Sequence, residues 1–363
     1  MHKTNLIIVT ILLIISSVFA GETPIDKPAY DSQEYPIPFV LSIVGSNNPH
    51  LNPYLDQTTT FHLSLFSGRI HSVQGLQLGA ISNHVTSNFV GYDAAGIYSE
   101  VGGNFAGYQT TGISSVVYGN FIGLQHTGIY SRVASNFFGL QTSGILNKVD
   151  GNFTGMQISG IVNEAQNVRY LQVAGITNKA ANVEGVQIAG IVNNADHVKG
   201  IQIGLINHSK KLDGIAIGLI NTSESGKVHL VAWGSTPEEI NVGLKFAPNN
   251  YWYTMLSLGN RGGFDEQEVL PVFQSRMGVH MDLVQRLYVE FDLGGGGSLP
   301  NGFSALDDGD SYQNMIEARF SLGYKIGSRI AVFGGISQSR IGSEIDWFDG
   351  EQGESMPFFG IQL

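Results

Sequence analysis

Hydrophobic and polar positions recur in a fixed order over residues 75–221. Each unit carries the phrase Gly, apolar, Gln, apolar, small, Gly, Ile, apolar, Asn, as in residues 155–163. Successive units start 16 residues apart at first and 15 apart later. This period fits two short strands and two tight turns, which is one coil of a narrow β-solenoid. We therefore predict an all-β chain with a β-solenoid of 15–16-residue coils over residues 58–226, whose atypical first coil, residues 58–73, turns at Gly68.

Alternation within a coil predicts which side chains point inward. Met156 and Ile158 share one face of the first strand, and Ile161, Asn163 and Ala165 share one face of the second. Stacked coils then give an inward apolar row and an inward amide ladder, in which each amide bonds the next coil. The expected apolar row is Ile145, Ile161, Ile176 and Ile191, and the expected ladder is Asn147, Asn163, Asn178 and Asn193. The second Gly of each unit is expected at a corner, where close backbone approach or positive φ is needed.

The same repeat also fits a second arrangement, in which each unit is one longer strand plus a turn. That arrangement gives a large up-and-down meander, and residues 153–163 are long enough to cross a bilayer as a strand. Against it, the supposed turns carry regular apolar residues such as Ala165 and Val168, which exposed turns do not need. The pattern favours the solenoid and leaves the meander open.

A different alternation begins at residue 227 and predicts about eight longer strands. They begin near Val228, Glu239, Tyr251, Val272, Leu287, Ile316, Arg329 and Met356. One face of these strands is apolar, whereas the other carries both signs of charge, as at Glu290, Asp292, Glu317 and Arg319. Charges of both signs on one face are typical of the packed lumen of a small membrane barrel.

The connections between these strands alternate between short turns and long loops. The long ones span residues 260–271, 298–314 and 341–355. Short turns at one end and long loops at the other are the pattern of outer-membrane barrels, so residues 227–363 are predicted to form one. A soluble β-sandwich or an extension of the solenoid sheet is the alternative.

The N-terminus predicts export. Residues 1–20 have a signal peptide's form, with Lys3, an apolar run and a small-residue cleavage site after Ala20. Residues 21–57 are expected to be a linker with one strand, residues 39–44. The last strand resembles the C-terminal targeting signal of outer-membrane barrels, although it lacks a terminal Phe. These features predict an outer-membrane location in the cell envelope.

Composition excludes several classes of function. The chain has 363 residues, 47 glycines, no cysteine and a net charge of −11. The lack of cysteine excludes disulfides, thiolate nucleophiles and Cys-based zinc sites. The acidic balance argues against nucleic acid as a partner, because nucleic acid requires a basic surface.

The repeated phrase resembles a family of bacterial surface-repeat proteins, known mainly from spirochaetes and other bacteria with outer membranes. The resemblance covers Leu63 to Asn221. It implies exposure at the cell envelope and carries no information about chemistry. The middle coils depart from the phrase, with Asp93, His126 and Thr142 taken to stand where later coils have Ile or Val.

No catalytic constellation can be assembled from the sequence. None of the ten histidines forms a metalloprotease motif, and His126 is expected inside a coil or lining it. β-Helix enzymes that act on polysaccharide need paired carboxylates on adjacent coils, which this repeat lacks. The only metal candidates are Asp307, Asp308 and Asp310, whose oxygens suit Ca²⁺ but which are better interpreted as a solvated acidic face.

We therefore expect a non-enzymatic envelope protein without cofactors, with a structural or surface-interaction role. Its expected partners are the outer membrane and an envelope or host-surface ligand. The alternatives are a polysaccharide-active β-helix enzyme and, if repeats and tail form one large barrel, a pore. If the long loops face outside, the strand near Val228 starts in the periplasm, which places the solenoid there unless an extra strand such as residues 39–44 changes the parity.

Overall fold

The structure is a computed structural model and describes seven stretches of the chain. They are residues 36–48, 52–235, 239–261, 271–298, 313–327, 330–342 and 354–363. The predicted signal peptide and the three candidate metal ligands, Asp307, Asp308 and Asp310, lie outside these residues, as does most of each long connection. Every regular element within the described residues is a strand.

The fold is a parallel-strand solenoid followed by a closed, antiparallel, eight-stranded barrel, which confirms the predicted fold class. Neighbouring coils pair in parallel, whereas a meander would pair them antiparallel. The meander is therefore wrong, and a pore built from repeats and tail together loses its premise. The chain divides into two compact units, residues 1–195 and 196–363.

Among its described residues, the first unit holds fourteen strands and the start of a fifteenth. They are β1 (Ile37–Val44), β2 (Thr58–Ile70), β3 (Ser72–Gly79), β4 (Ser82–Val85), β5 (Phe89–Ala95), β6 (Tyr98–Val101), β7 (Phe105–Thr111), β8 (Ser114–Val117), β9 (Phe121–Thr127), β10 (Tyr130–Val133), β11 (Phe137–Ser143), β12 (Leu146–Ser159), β13 (Val162–Ala174), β14 (Thr177–Ala189) and β15 (Val192–Ile203). Equivalent residues of successive coils pair directly, so each repeat position becomes a row along the stack.

The first coil is capped by β1, which pairs in parallel with β2. Residues 39–44 therefore belong to the solenoid sheet, and they do not alter the strand parity of the barrel. Gly68 is paired with Asn83 and does not occupy the corner position predicted for it. The ring of His62 fills the space that a side chain at Gly68 would need, since a Cβ there would lie 2.5 Å from His62 Cε1.

The inward rows of the solenoid are more polar than predicted. In the first strand of a coil Gln157 is fully buried, whereas Met156 is 43% exposed. Asn163 and Ala165 point inward as expected, but the isoleucine row lies at an exposed corner, with Ile145 43% exposed. The predicted inward isoleucine row is therefore wrong. The apolar core is made instead by aromatic and β-branched residues, first Phe89, Phe105, Phe121, Phe137 and Phe153, then Val168, Val183 and, in the second unit, Val198.

The two glycines of the phrase have different tasks. The first has positive φ, as at Gly155 with φ of 134°, and in one coil Tyr170 takes this place with φ of 92°. The second permits close approach, since a Cβ on Gly160 would lie 2.1 Å from the Gly144 carbonyl oxygen. Of the two reasons predicted for the second glycine, close approach is the one observed.

The second unit contains a parallel strand pair and the barrel. The pair is β16 (Ile206–Ile217) and β17 (Ile220–Ser223). The barrel strands are β18 (Lys227–Gly234), β19 (Glu239–Ala247), β20 (Trp252–Arg261), β21 (Pro271–Val284), β22 (Leu287–Ser298), β23 (Gln313–Lys325), β24 (Ala331–Gly342) and β25 (Glu354–Gln362). They start within a few residues of the predicted positions, and β25 closes the barrel by pairing with both β24 and β18.

Candidate functional site

The barrel lumen contains a buried network of paired charges. Asp292 accepts hydrogen bonds from Arg319 Nε and Nη2, both at 2.9 Å, and from the Tyr253 hydroxyl at 2.8 Å. Arg276 contacts Asp292 at 3.3 Å and also bonds Glu317. Isolated charges could not remain here, because an unpaired buried charge costs several kcal/mol. The predicted inward placement of Asp292, Glu317 and Arg319 is correct.

An apolar cluster packs beside this network in the lumen. Val231, Trp233, Met255 and Phe358 are buried together. The Arg319 guanidinium lies 4.7 Å from the Trp233 ring centroid, a cation–π geometry. At this level the lumen is filled by side chains, as expected for an eight-stranded barrel.

A second charge cluster lies towards the short-turn end of the barrel. Glu290 bonds Lys245, and its Oε1 lies 2.7 Å from His280 Nδ1. The other ring nitrogen, His280 Nε2, lies 3.1 Å from Asp282 Oδ1. Lys325 Nζ is also paired with Asp282. The sequence placed Glu290 in the lumen correctly, but it gave no sign that Lys245 of β19 and His280 of β21 meet on its carboxylate.

This cluster borders a pocket of about 310 Å³. Lys227, His229, Tyr253 and Gln362 also line it. Two of the three lysines that line the pocket, Lys245 and Lys325, contact carboxylates, so most of its positive charge is compensated. The described residues contain no group of three or more His, Asp or Glu side chains that could hold a metal.

The outer wall of the barrel is almost entirely apolar. Its outward rows include Val242, Phe291, Phe320 and Ile361, all well exposed. Among outward positions of the described strands, Arg340 is the single charged residue; it pairs with Ile316 towards the long-connection end. Polar outward residues gather at that same end: Asn260, Asn314, Gln338 and Ser355.

The other end of the wall carries amphipathic aromatics. Tyr251, Trp252 and Tyr324 lie beside the short turns. Tyr and Trp are enriched where a protein surface passes from hydrocarbon to water. No helix within the described residues is long and apolar enough to cross a membrane.

Within the second unit, the last coil packs on the outward side of β19 and β20. Asn221 Nδ2 donates to Thr254 Oγ1 at 2.7 Å, and Trp252 Nε1 donates to the Ala216 carbonyl at 2.7 Å. Thr254 and Phe246 are buried, although their rows face away from the lumen. This contact was not predicted, because neither the repeat nor the barrel pattern specifies it.

The solenoid interior is organised as hydrogen-bonded ladders. Gln125, Gln141 and Gln157 each donate from Nε2 to Oε1 of the glutamine in the preceding coil at 2.8 Å. The predicted asparagine ladder is confirmed, with links of 3.0 Å from Asn147 to Asn163 and onward to Asn178 and Asn193. Phenylalanine rings stack beside these ladders, with centroids 4.6–5.2 Å apart.

Two titratable residues occupy the glutamine row. Asp93 pairs with Gln77 and Gln109, so the expectation that it replaces an Ile or Val is wrong. Asn83, Ser99 and Gln109 donate to its carboxylate, yet burial raises its pKa above the usual value. At the start of the row, burial lowers the pKa of His62 to about 4.

The residues that vary from coil to coil lie on the outward face of the solenoid. His126 is exposed and lies 2.8 Å from Thr142 Oγ1, so its predicted interior position is wrong. In later coils the row of His126 and Thr142 is apolar, with Ile158 and Val173. Gln recurs from coil to coil whereas the residues beside it vary, and this difference was the signal in the sequence that Gln points inward.

Comparisons with known proteins identify no family for this chain. No family model matches the chain, and no curated protein matches it. A solved structure described as "De novo design of transmembrane beta-barrels" is similar over 37% of this chain and 90% of its own, at 14% identity and a TM-score of 0.24. A TM-score this low carries no conclusion about function.

Proposed function

We propose that this chain is a non-enzymatic bacterial envelope protein whose barrel is embedded in the outer membrane. Its solenoid serves a structural or surface-interaction role. Membership of the surface-repeat family is part of this proposal. The observation that carries it is the polarity of the barrel, which has an apolar wall and a charged lumen.

This distribution of charged and apolar side chains is the reverse of the one expected for a barrel in water. A soluble barrel would place charges on its wall and apolar side chains in its core. Here Arg319 and Asp292 are buried in the lumen, whereas Phe320 and Phe291 are exposed on the wall. Contiguous apolar surface on this scale marks an interaction site, and a closed barrel satisfies every backbone group that a bilayer would leave unpaired.

The proposal includes an orientation. β18 begins beside the turn after β19, and Leu363 exchanges backbone hydrogen bonds with Leu230 at the same end. Outer-membrane barrels have short turns on the periplasmic side. The chain would therefore enter the barrel from the periplasm, and the solenoid would lie on that side.

A pair of variants tests membrane insertion. Leu322→Arg places a charge in the apolar part of the wall, where we expect a loss of about 2–4 kcal/mol of folding stability in vesicles. Gln338→Arg is the matched control at a polar outward position nearer the long connections, with an expected loss of about 0–1 kcal/mol. Folding is followed by heat-modifiable gel mobility after refolding into phosphatidylcholine vesicles. Equal losses for both variants, or a chain that stays folded in water without lipid or detergent, would contradict the proposal.

A further inference from the structure

The last solenoid coil occupies part of the wall that lipid would otherwise cover. Tyr253 and Met255 point into the lumen, so Thr254 between them points outward. Thr254 is nevertheless only 3% exposed, because Asn221 binds its hydroxyl. Phe246, its cross-strand partner, is covered as well.

A second set of contacts holds the same coil at the short-turn end. The Tyr251 hydroxyl and Asn249 Nδ2 both donate to the Gly214 carbonyl, at 3.0 Å and 2.8 Å. Trp252 donates to Ala216 from the outward row. These side chains belong to the aromatic end of the wall, the level at which a membrane barrel meets headgroups.

The exposed side of this coil and its neighbour is apolar along one edge. Ile203, Leu205, Ile206 and Leu219 are each more than a third exposed, at 37%, 48%, 37% and 41%. Charges of the same coils lie farther along β15 and β16, away from these apolar residues, where Lys210 pairs with Asp196 at 2.8 Å and Lys211 with Asp213 at 3.1 Å. One apolar edge and one ionic edge are the composition of an element that lies in a membrane interface.

We infer that residues 203–220 form an interfacial foot, whose apolar edge inserts among the lipid acyl chains next to the barrel. The occupant of this edge is lipid, because the coil is continuous with a wall that itself faces lipid. The inference rests on the proposed function. It gives the terminal coils a second role, which is to anchor the solenoid at the bilayer surface.

Lipid-phase quenching tests the inference in the full-length chain, which has no cysteine of its own. Single cysteines replace Leu205, Leu219, Lys211 or Phe320 and carry a bimane dye. Each protein is refolded into phosphatidylcholine vesicles without bromine, or with bromine at shallow or at deep positions of the acyl chains. We expect brominated lipid to reduce emission at Leu205→Cys and Leu219→Cys, as at Phe320→Cys on the barrel wall, and to leave Lys211→Cys unchanged.

The outcomes separate the two proposals. Quenching at Phe320→Cys without quenching at Leu205→Cys and Leu219→Cys would overturn the foot and leave the membrane barrel standing. A blue-shifted but unquenched dye at Leu205→Cys would indicate a protein partner, such as a second copy, and would also overturn it. No quenching at Phe320→Cys would refute the membrane barrel itself.

Discussion

At the scale of single residues, the solenoid tolerates amides inside because the Gln and Asn side chains of its ladders bond those of the next coil. Gln141 donates to Gln125 and accepts from Gln157, so its amide is satisfied by the repeat itself. The row starts irregularly, with His62 and Asp93 where later coils have Gln. The stability of the first coils should therefore depend on pH, and that of the later ones much less.

His62 should make the N-terminal cap sensitive to acid. Gln77 Nε2 can only donate, so His62 Nδ1 accepts and its Nε2 donates to Ser42 Oγ, which requires the neutral ring. With a folded pKa of about 4 against 6.5 when unfolded, stability is lost as pH falls below 6.5 and levels off near 4, by about 3 kcal/mol in all. Amide exchange in β1 and β2, corrected for its intrinsic rate, should show this loss. His62→Gln should abolish it, and an unchanged pH response in that variant would contradict the assignment.

Asp93 should act in the opposite sense. Its raised folded pKa means that the folded chain holds a proton that the unfolded chain has released, so stability falls as pH rises through that window. Protection of β5 and β7 against amide exchange should be lower at pH 8 than at pH 4, which lies near the ordinary pKa of an Asp carboxyl. Asp93→Asn removes the titrating group and should flatten this difference. Equal protection at both pH values in the parent chain would show that the three donors fully offset the burial.

At the scale of elements, the repeat defines which residue must point inward in each strand. Gln157→Leu should leave Gln141 Oε1 and Gln172 Nε2 without their ladder partners, at a cost of about 1–3 kcal/mol for each buried group. Met156→Lys, one residue earlier and exposed, should cost less than about 0.5 kcal/mol. Thermal unfolding followed by circular dichroism compares the two. A greater loss for Met156→Lys would reverse the inward and outward assignment.

The first glycine of the phrase should be equally sensitive to substitution. A Cβ on Gly155 would lie 1.9 Å from the Gly139 carbonyl oxygen, in a backbone conformation that disfavours side chains. Gly155→Ala should therefore lower stability by more than about 2 kcal/mol. Tyr170→Ala is the control, because this coil already accommodates a Cβ at the equivalent position. Similar melting temperatures for both variants would show that neighbouring coils can shift to admit the methyl group.

The sequence predicted the period, the asparagine ladder and nearly every barrel strand, because each depends on local alternation. It failed for Ile161, Met156 and His126, since a period of two gives two faces without saying which is inside. Apolar content suggested the wrong face, whereas the interior accepts Gln because the ladder satisfies its amide. The contact of Asn221 with Thr254 joins the last coil to the barrel. Neither the repeat pattern nor the barrel pattern specifies how those two elements meet.

At the scale of the whole chain, both parts follow the same rule. The solenoid buries Gln and Asn in ladders, and the barrel buries Arg, Asp and Glu in paired networks. In both, these buried side chains bond one another, and large apolar residues are exposed on the outside. For the barrel we propose that those residues face lipid, and the functional account depends on this claim.

The most direct test is a depth profile along β22. Cysteines at Leu287, Val289, Phe291 and Leu293, all outward-facing, are labelled with bimane in the full-length chain and refolded into vesicles with bromine at shallow or deep acyl positions. The account predicts that deep bromine quenches Phe291→Cys most strongly and that shallow bromine is more effective at Leu287→Cys, beside the short turn. Emission unaffected by bromine at all four positions would contradict a membrane-embedded barrel.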